Sequence, residues 1–157
     1  MNRKKRFLIS AVSGACTFIV LAIVFRLLGL VPFTGRSEGL SLAYDDAYFQ
    51  FIDFLGYFKD VLSGRQSIAY SFSNYLGQGS IAFFSYYLST PFNLFMFFLK
   101  KHHILLFFDT EIVLKMCLSA FTFAWFLTGR FKERLPFVFT VSLSVGYSLM
   151  QYVLHQG

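Results

Sequence analysis

Between Phe7 and Phe25 the chain carries no charged residue, and this run starts directly behind Arg3-Lys4-Lys5-Arg6. It approaches the ~20 apolar residues that cross the hydrocarbon core of a bilayer, which leaves few alternatives to a membrane helix. It also exceeds the apolar core of a cleavable signal, about 7–15 residues, and no small-x-small cleavage pattern follows it. A first transmembrane helix over about 7–30 is therefore predicted, retained in the protein, with its basic N-terminus in the cytoplasm. Arg26 falls near the outer end, where a long side chain can snorkel to the headgroups.

Three further stretches, 81–99, 109–129 and 135–155, are apolar and near spanning length. With 56% hydrophobic and only 14% charged residues in 157, the composition excludes an ordinary soluble domain. The predicted fold is all-α, a polytopic (multi-pass) integral membrane protein forming a single membrane domain in contact with the lipid bilayer. The formal charge of +6 does not point to nucleic acid, because the cations sit in short clusters against apolar runs: at the N-terminus, at Lys100-Lys101 and between Arg130 and Arg134. Such clusters set topology and meet lipid headgroups. Consecutive spans cannot place both later clusters in the cytoplasm, so either 81–99 is interfacial or re-entrant, or one cluster lies outside. Cys16 and Cys117 lie in apolar segments without partners at metal-ligand spacing and read as small buried hydrophobes.

The connection over 31–80 begins with Gly35, Arg36, Ser37, Glu38, Gly39 and Ser41, a polar and breaker-rich stretch that is extracytoplasmic if the first helix crosses once. In it, Tyr44-Asp45-Asp46-Ala47-Tyr48-Phe49-Gln50-Phe51 opens an interfacial helix predicted over 46–62 and ended by Ser63-Gly64. At ~100° per residue, Asp46, Gln50, Asp53, Tyr57 and Asp60 fall on one stripe of that helix. Carboxylates beside hydrocarbon are costly and are usually retained for chemistry or ion binding. Asp45 points ~100° off the stripe, and helix N-capping accounts for it as well as chemistry does. For Asp53 and Asp60, the wet side of an amphipathic helix is the plain alternative.

Other residues carry weaker signals. Lys115 lies inside an apolar run, which demands a cavity or a partner such as Asp109 or Glu111. His102 and His103 are adjacent and diverge if helical, which disfavours metal ligation. Gly77 and Gly79, in a loop over 71–80, suit a turn or a close approach of backbone to a ligand. Ser89-Thr90-Pro91 interrupts the 81–99 stretch. Tyr48, Tyr75, Tyr86 and Tyr87 are candidates for sugar or membrane-interface contacts.

With these residues in view, the chain resembles the amino-terminal part of the YfhO family of bacterial polytopic membrane proteins, in the GT-C class of glycosyltransferases. The resemblance rests on Asp46-Ala47-Tyr48-Phe49-Gln50-Phe51, Leu62-Ser63-Gly64, Tyr70-Ser71-Phe72-Ser73, Leu76-Gly77-Gln78-Gly79, Tyr86-Tyr87-Leu88-Ser89-Thr90-Pro91-Phe92-Asn93-Leu94, Lys115 and Gly146-Tyr147. Thr90 departs from it, standing where the family tends to run Ser-Pro directly. The resemblance implies a GT-C-like N-terminal portion in the bacterial cell membrane, and a fragment of a larger enzyme whose remainder would be a partner.

It further implies transfer of a sugar from a polyprenyl-phosphate donor to an extracytoplasmic cell-envelope acceptor such as lipoteichoic acid. Asp46 matches the position of the class's reactive carboxylate, with Asp45, Gln50, Asp53 and Lys115 in binding or supporting roles. A carboxylate bordered by Phe and Tyr is expected to hold protons more tightly, which suits a general base near neutral pH. A divalent cation held by Asp45 and Asp46 against the lipid phosphate is the alternative, and no other cofactor is implied. The rival reading from another class is a non-catalytic membrane subunit or transport component, whose acids bind ions or another span.

Overall fold

The computed structural model describes residues 2–30, 41–43, 47–71, 78–79, 81, 84–131 and 134–150. The chain divides into two compact units, residues 1–40 with 110–157, and residues 41–109. Both are predominantly helical.

The first unit begins with α1, Arg3–Leu28. It starts earlier than the apolar run because the Asn2 side chain accepts from the Lys4 amide at 3.2 Å, and Arg and Lys are good helix formers. It stops at Gly29, whose φ of 71° is left-handed. There the Gly29 amide donates to the Arg26 carbonyl and the Leu30 amide to the Phe25 carbonyl, which satisfies the last turn. By length and composition α1 can cross a membrane.

Against α1 lie the later turns of α3, Ile104–Arg130, and the shorter α4, Phe137–Ser148. Phe7 meets Phe121 edge-on at 5.7 Å, and a Cβ on Gly14 would sit 3.2 Å from the Cys117 carbonyl oxygen. Rising numbers on α1 thus meet falling numbers on α3, so the two run antiparallel. The face that α1 buries includes Ser10, Ser13 and Thr17, and α4 buries Thr140, Ser144 and Ser148. Small side chains let helix backbones approach where no water is available to drive association. Most of their hydroxyls are satisfied: Ser13 donates to the Ile9 carbonyl, Ser144 to the Thr140 carbonyl, and Thr17 and Ser148 meet at 3.2 Å, while the buried Ser10 hydroxyl has no partner among the described residues.

Gly14→Leu tests this packing. The obstacle is a backbone carbonyl that cannot swing aside, so overpacking is expected to cost about 1–3 kcal/mol. The check is thermal unfolding of the purified chain in detergent, and an unchanged melting temperature would contradict the close approach.

In the second unit a π-helical turn, Ala47–Phe51, leads into α2, Ile52–Leu62. The helix predicted from residue 46 is therefore α-helical only from Ile52. Its C-terminus lies where Ser63-Gly64 placed it, with Gly64 at φ 74°. Leu55 and Phe58 are its buried face. A two-residue antiparallel pairing, β1 (Tyr70–Ser71) with β2 (Gln78–Gly79), qualifies the all-α expectation without changing the helical character.

The stretch predicted as one apolar segment over 81–99 is broken into a π turn, Phe84–Leu88, and a 3-10 helix, Pro91–Phe98. Thr90 caps the latter by accepting from the Phe92 amide, and Pro91, lacking an N–H, suits its first position. Asn93 and Met96 face inward, three residues apart as a 3-10 helix requires. At the other end the Lys59 ammonium donates to the Met96 and Phe97 carbonyls, both at 2.8 Å. The predicted segment at 109–129 lies within α3, and that at 135–155 overlaps α4, with 151–157 outside the described residues.

Candidate functional site

Asp45 and Asp46 lie outside the described residues, as do Tyr44 just before them and the loop residues 72–77, which include Tyr75 and Gly77. The chain is described on both flanks of the acidic pair, and there it is tied to the start of α3. On the near side, Asp109 is fully buried, and its Oδ1 accepts from the Leu42 amide and the Ser41 hydroxyl, each at 2.9 Å. Ser41 Oγ also accepts from the Ala43 amide at 3.1 Å, which closes a small turn over 41–43. On the far side, the Phe51 and Phe108 rings lie 5.6 Å apart, and Gly56 approaches Ile104, whose Cδ1 would be 3.7 Å from an added Cβ.

The π turn alters the stripe read from sequence. Its i→i+5 closure takes more residues per turn than an α-helix, so the 100° step holds from Ile52 onward and not across 47–51. Gln50 and Asp53 are both exposed. Tyr57 instead donates to the Ser67 carbonyl, tying α2 to the following loop. Asp60 is held by two cations, Arg65 at 2.9 Å and Lys101 at 2.5 Å. Gln50 and Asp53 are thus exposed, while Tyr57 and Asp60 hold the unit together.

Lys115 Nζ stands 3.2 Å from Glu111 Oε1, one turn away on α3. The Glu111 side chain is only 3% exposed and that of Lys115 30%, so the carboxylate is the buried member. Among the partners open to Lys115, the structure places Glu111 beside it. The contact is an ion pair without hydrogen-bond geometry, and Glu111 Oε1 has no hydrogen-bond partner among the described residues.

His102 and His103 do not diverge: they sit in a 3-10 turn, Lys101–His103, with ring centroids 3.9 Å apart. Among the described residues no group of three or more His, Cys, Asp or Glu side chains gathers to hold a metal. Cys16 and Cys117 are free and half-buried. Tyr48 is 49% exposed, and the Tyr86 and Tyr87 side chains lie outside the described ones.

Asp109 is the residue that sequence reasoning passed over, treating it only as a partner for Lys115. A signal was present: an acid directly after Phe107-Phe108 must find donors if it is buried. Which donors it finds depends on a chain return from residue 42, which no local pattern encodes.

The family model described as "Bacterial membrane protein YfhO" matches residues 14–156. No curated protein and no solved structure matches the chain.

Proposed function

Because the chain belongs to the YfhO family of bacterial membrane proteins, we propose that it acts as, or as part of, a membrane glycosyltransferase. In this reading a sugar passes from a polyprenyl-phosphate donor to a hydroxyl of an extracytoplasmic cell-envelope polymer such as lipoteichoic acid. Asp46 takes the acceptor proton as general base, with Asp45, Gln50 and Asp53 orienting the acceptor and Lys115 placed toward the donor phosphate. Proton removal sharpens the acceptor oxygen as it attacks the anomeric carbon, and the lipid phosphate leaves with the bonding pair. The observation that carries the reading is the exposure of Gln50 and Asp53 on the turns directly after Asp45-Asp46, while Leu55 and Phe58 are buried. Polar groups are thereby offered to a ligand from an element that is otherwise aromatic and aliphatic.

The proposed topology is multi-pass with a cytoplasmic N-terminus. The Arg6 guanidinium donates to the Trp125 carbonyl at 3.0 Å and covers its ring at 4.5 Å, so the basic start of α1 and the basic end of α3 lie together. Positive-inside bias puts that shared end in the cytoplasm and leaves Lys100-Lys101 outside with the acidic segment. The pairing of Lys101 with Asp60 agrees with this, since it keeps Lys101 beside α2. The 3-10 helix Pro91–Phe98, at ~2 Å rise per residue, is too short to cross, and serves as interfacial structure.

A direct test reconstitutes the full chain in liposomes containing a polyprenyl-phosphate sugar and adds the polymer acceptor. Time-dependent labelling of the polymer is expected. No labelling with any of a panel of sugar donors, from folded protein tested both alone and as part of a complete family enzyme, would sink the transferase reading and favour a non-catalytic membrane role.

A further inference from the structure

A carboxylate removed from water needs donors, and Asp109 has them on one oxygen only. Oδ1 accepts from the Ser41 hydroxyl and the Leu42 amide, while Oδ2 is buried with no partner among the described residues. A side-chain oxygen needs only its lone pairs to accept these two bonds, and the Leu42 amide belongs to the main chain itself. The group thus grips backbone, and it does so from a helix that is continuous for 27 residues. Ser41 passes the grip on, since the same hydroxyl that donates to Asp109 accepts from the Ala43 amide. Asp45-Asp46 begin two residues later in sequence.

We propose that Asp109 is a positioning residue, an anchor on α3 that holds residues 41–43, the segment that precedes Asp45-Asp46 in sequence. This deepens the transferase reading and rests on it for its kinetic arm. The far side of the acidic pair meets the same helix through Phe51 with Phe108 and Gly56 with Ile104. Numbers rise from Phe51 to Gly56 as their partners fall from Phe108 to Ile104, so the start of α2 runs antiparallel to the first turns of α3. Removing the Asp109 grip frees one flank and leaves the other. An active site can lose about 10²-fold in rate from a displacement of ~1 Å, so an anchor that never touches substrate can still govern turnover.

The experiment compares the wild-type full chain with Asp109→Leu, Asp109→Asn and Ser41→Ala, using hydrogen–deuterium exchange in detergent and sugar-transfer kinetics in liposomes. In Asp109→Leu the Leu42 amide is expected to exchange at least about tenfold faster, with α1 unchanged as the sign of an intact fold. Turnover is expected to fall by about 10²-fold with KM for the lipid donor unchanged. Asp109→Asn, which keeps an acceptor oxygen, is expected to restore most of the Leu42 protection and turnover. Ser41→Ala removes only one of the two bonds and serves if Asp109→Leu does not fold: a smaller rise in Leu42 exchange is expected.

Unchanged Leu42 exchange in Asp109→Leu or, where only it folds, in Ser41→Ala overturns the anchor. So does Asp109→Asn being as defective as Asp109→Leu, which would assign the role to the charge. If the wild-type protein transfers no sugar, the transferase reading fails by itself, and if Asp46→Asn retains full transfer only the base assignment fails, while in both cases the exchange result still decides what Asp109 holds.

Discussion

Replacing Asp46 by Asn in the full chain is expected to lower sugar transfer by about 10²–10⁴-fold, the range that a positioned general base contributes. Asn keeps the size and the hydrogen-bonding reach of Asp but cannot take a proton, so protein abundance and melting temperature should stay at wild-type level. Asp45 supplies the internal comparison. If it caps the helix, Asp45→Asn is neutral because Asn caps as well as Asp, while Asp45→Ala loses about 1 kcal/mol of stability. If it shares the chemistry or holds a cation with Asp46, Asp45→Asn loses transfer as steeply as Asp46→Asn does. The readout is labelled sugar incorporated into polymer per mole of folded enzyme. Wild-type incorporation by Asp46→Asn at normal abundance would refute the base assignment.

Lys115→Met should produce the largest loss of stability, about 3–5 kcal/mol, because it strands a buried carboxylate. Glu111 is the nearly inaccessible member of the pair, and among the described residues its Oε1 has the Lys115 ammonium, 3.2 Å away, to offset its desolvation. Adding Glu111→Gln removes the stranded charge and should recover most of the melting temperature. The double variant then separates structure from function. A stable Lys115→Met/Glu111→Gln protein with a raised KM for the polyprenyl-phosphate donor supports a phosphate contact. A stable double variant with wild-type kinetics makes the pair purely structural. Full stability of Lys115→Met alone would mean that Glu111 does not depend on this lysine.

Much of the architecture was legible because it depends on local chemistry. The uncharged run behind four cations defined α1, although Asn2 and Gly29 set its ends three or four residues from where hydropathy alone would. Ser63-Gly64 marked the end of α2, and Ser89-Thr90-Pro91 marked a break that proved to be a capped 3-10 start. What was not legible came from elsewhere in the chain. The π turn at Ala47–Phe51 has no residue signature, and it invalidates a helical wheel drawn back from Asp53 to Asp46. The partners of Tyr57 and Asp60 were not legible either: Ser67, Arg65 and Lys101 claim them, and periodicity cannot see partners. Asp109 was missed because a single acid at a helix start acquires meaning only from what returns to it.

The Lys59 ammonium, bonded to the last carbonyls of Pro91–Phe98, makes that short helix conditional on α2. Isolated 3-10 helices of this length are marginal, and the terminal carbonyls here are satisfied by a charge carried on another element. If α2 frays past Lys59, the Phe97 carbonyl loses the ammonium and the Met96 carbonyl keeps only the Leu99 amide, so the end of the aromatic segment is expected to loosen with it. The link runs through space, so a defect at Lys59 is expected to be felt some forty residues away in sequence without passing through the chain between.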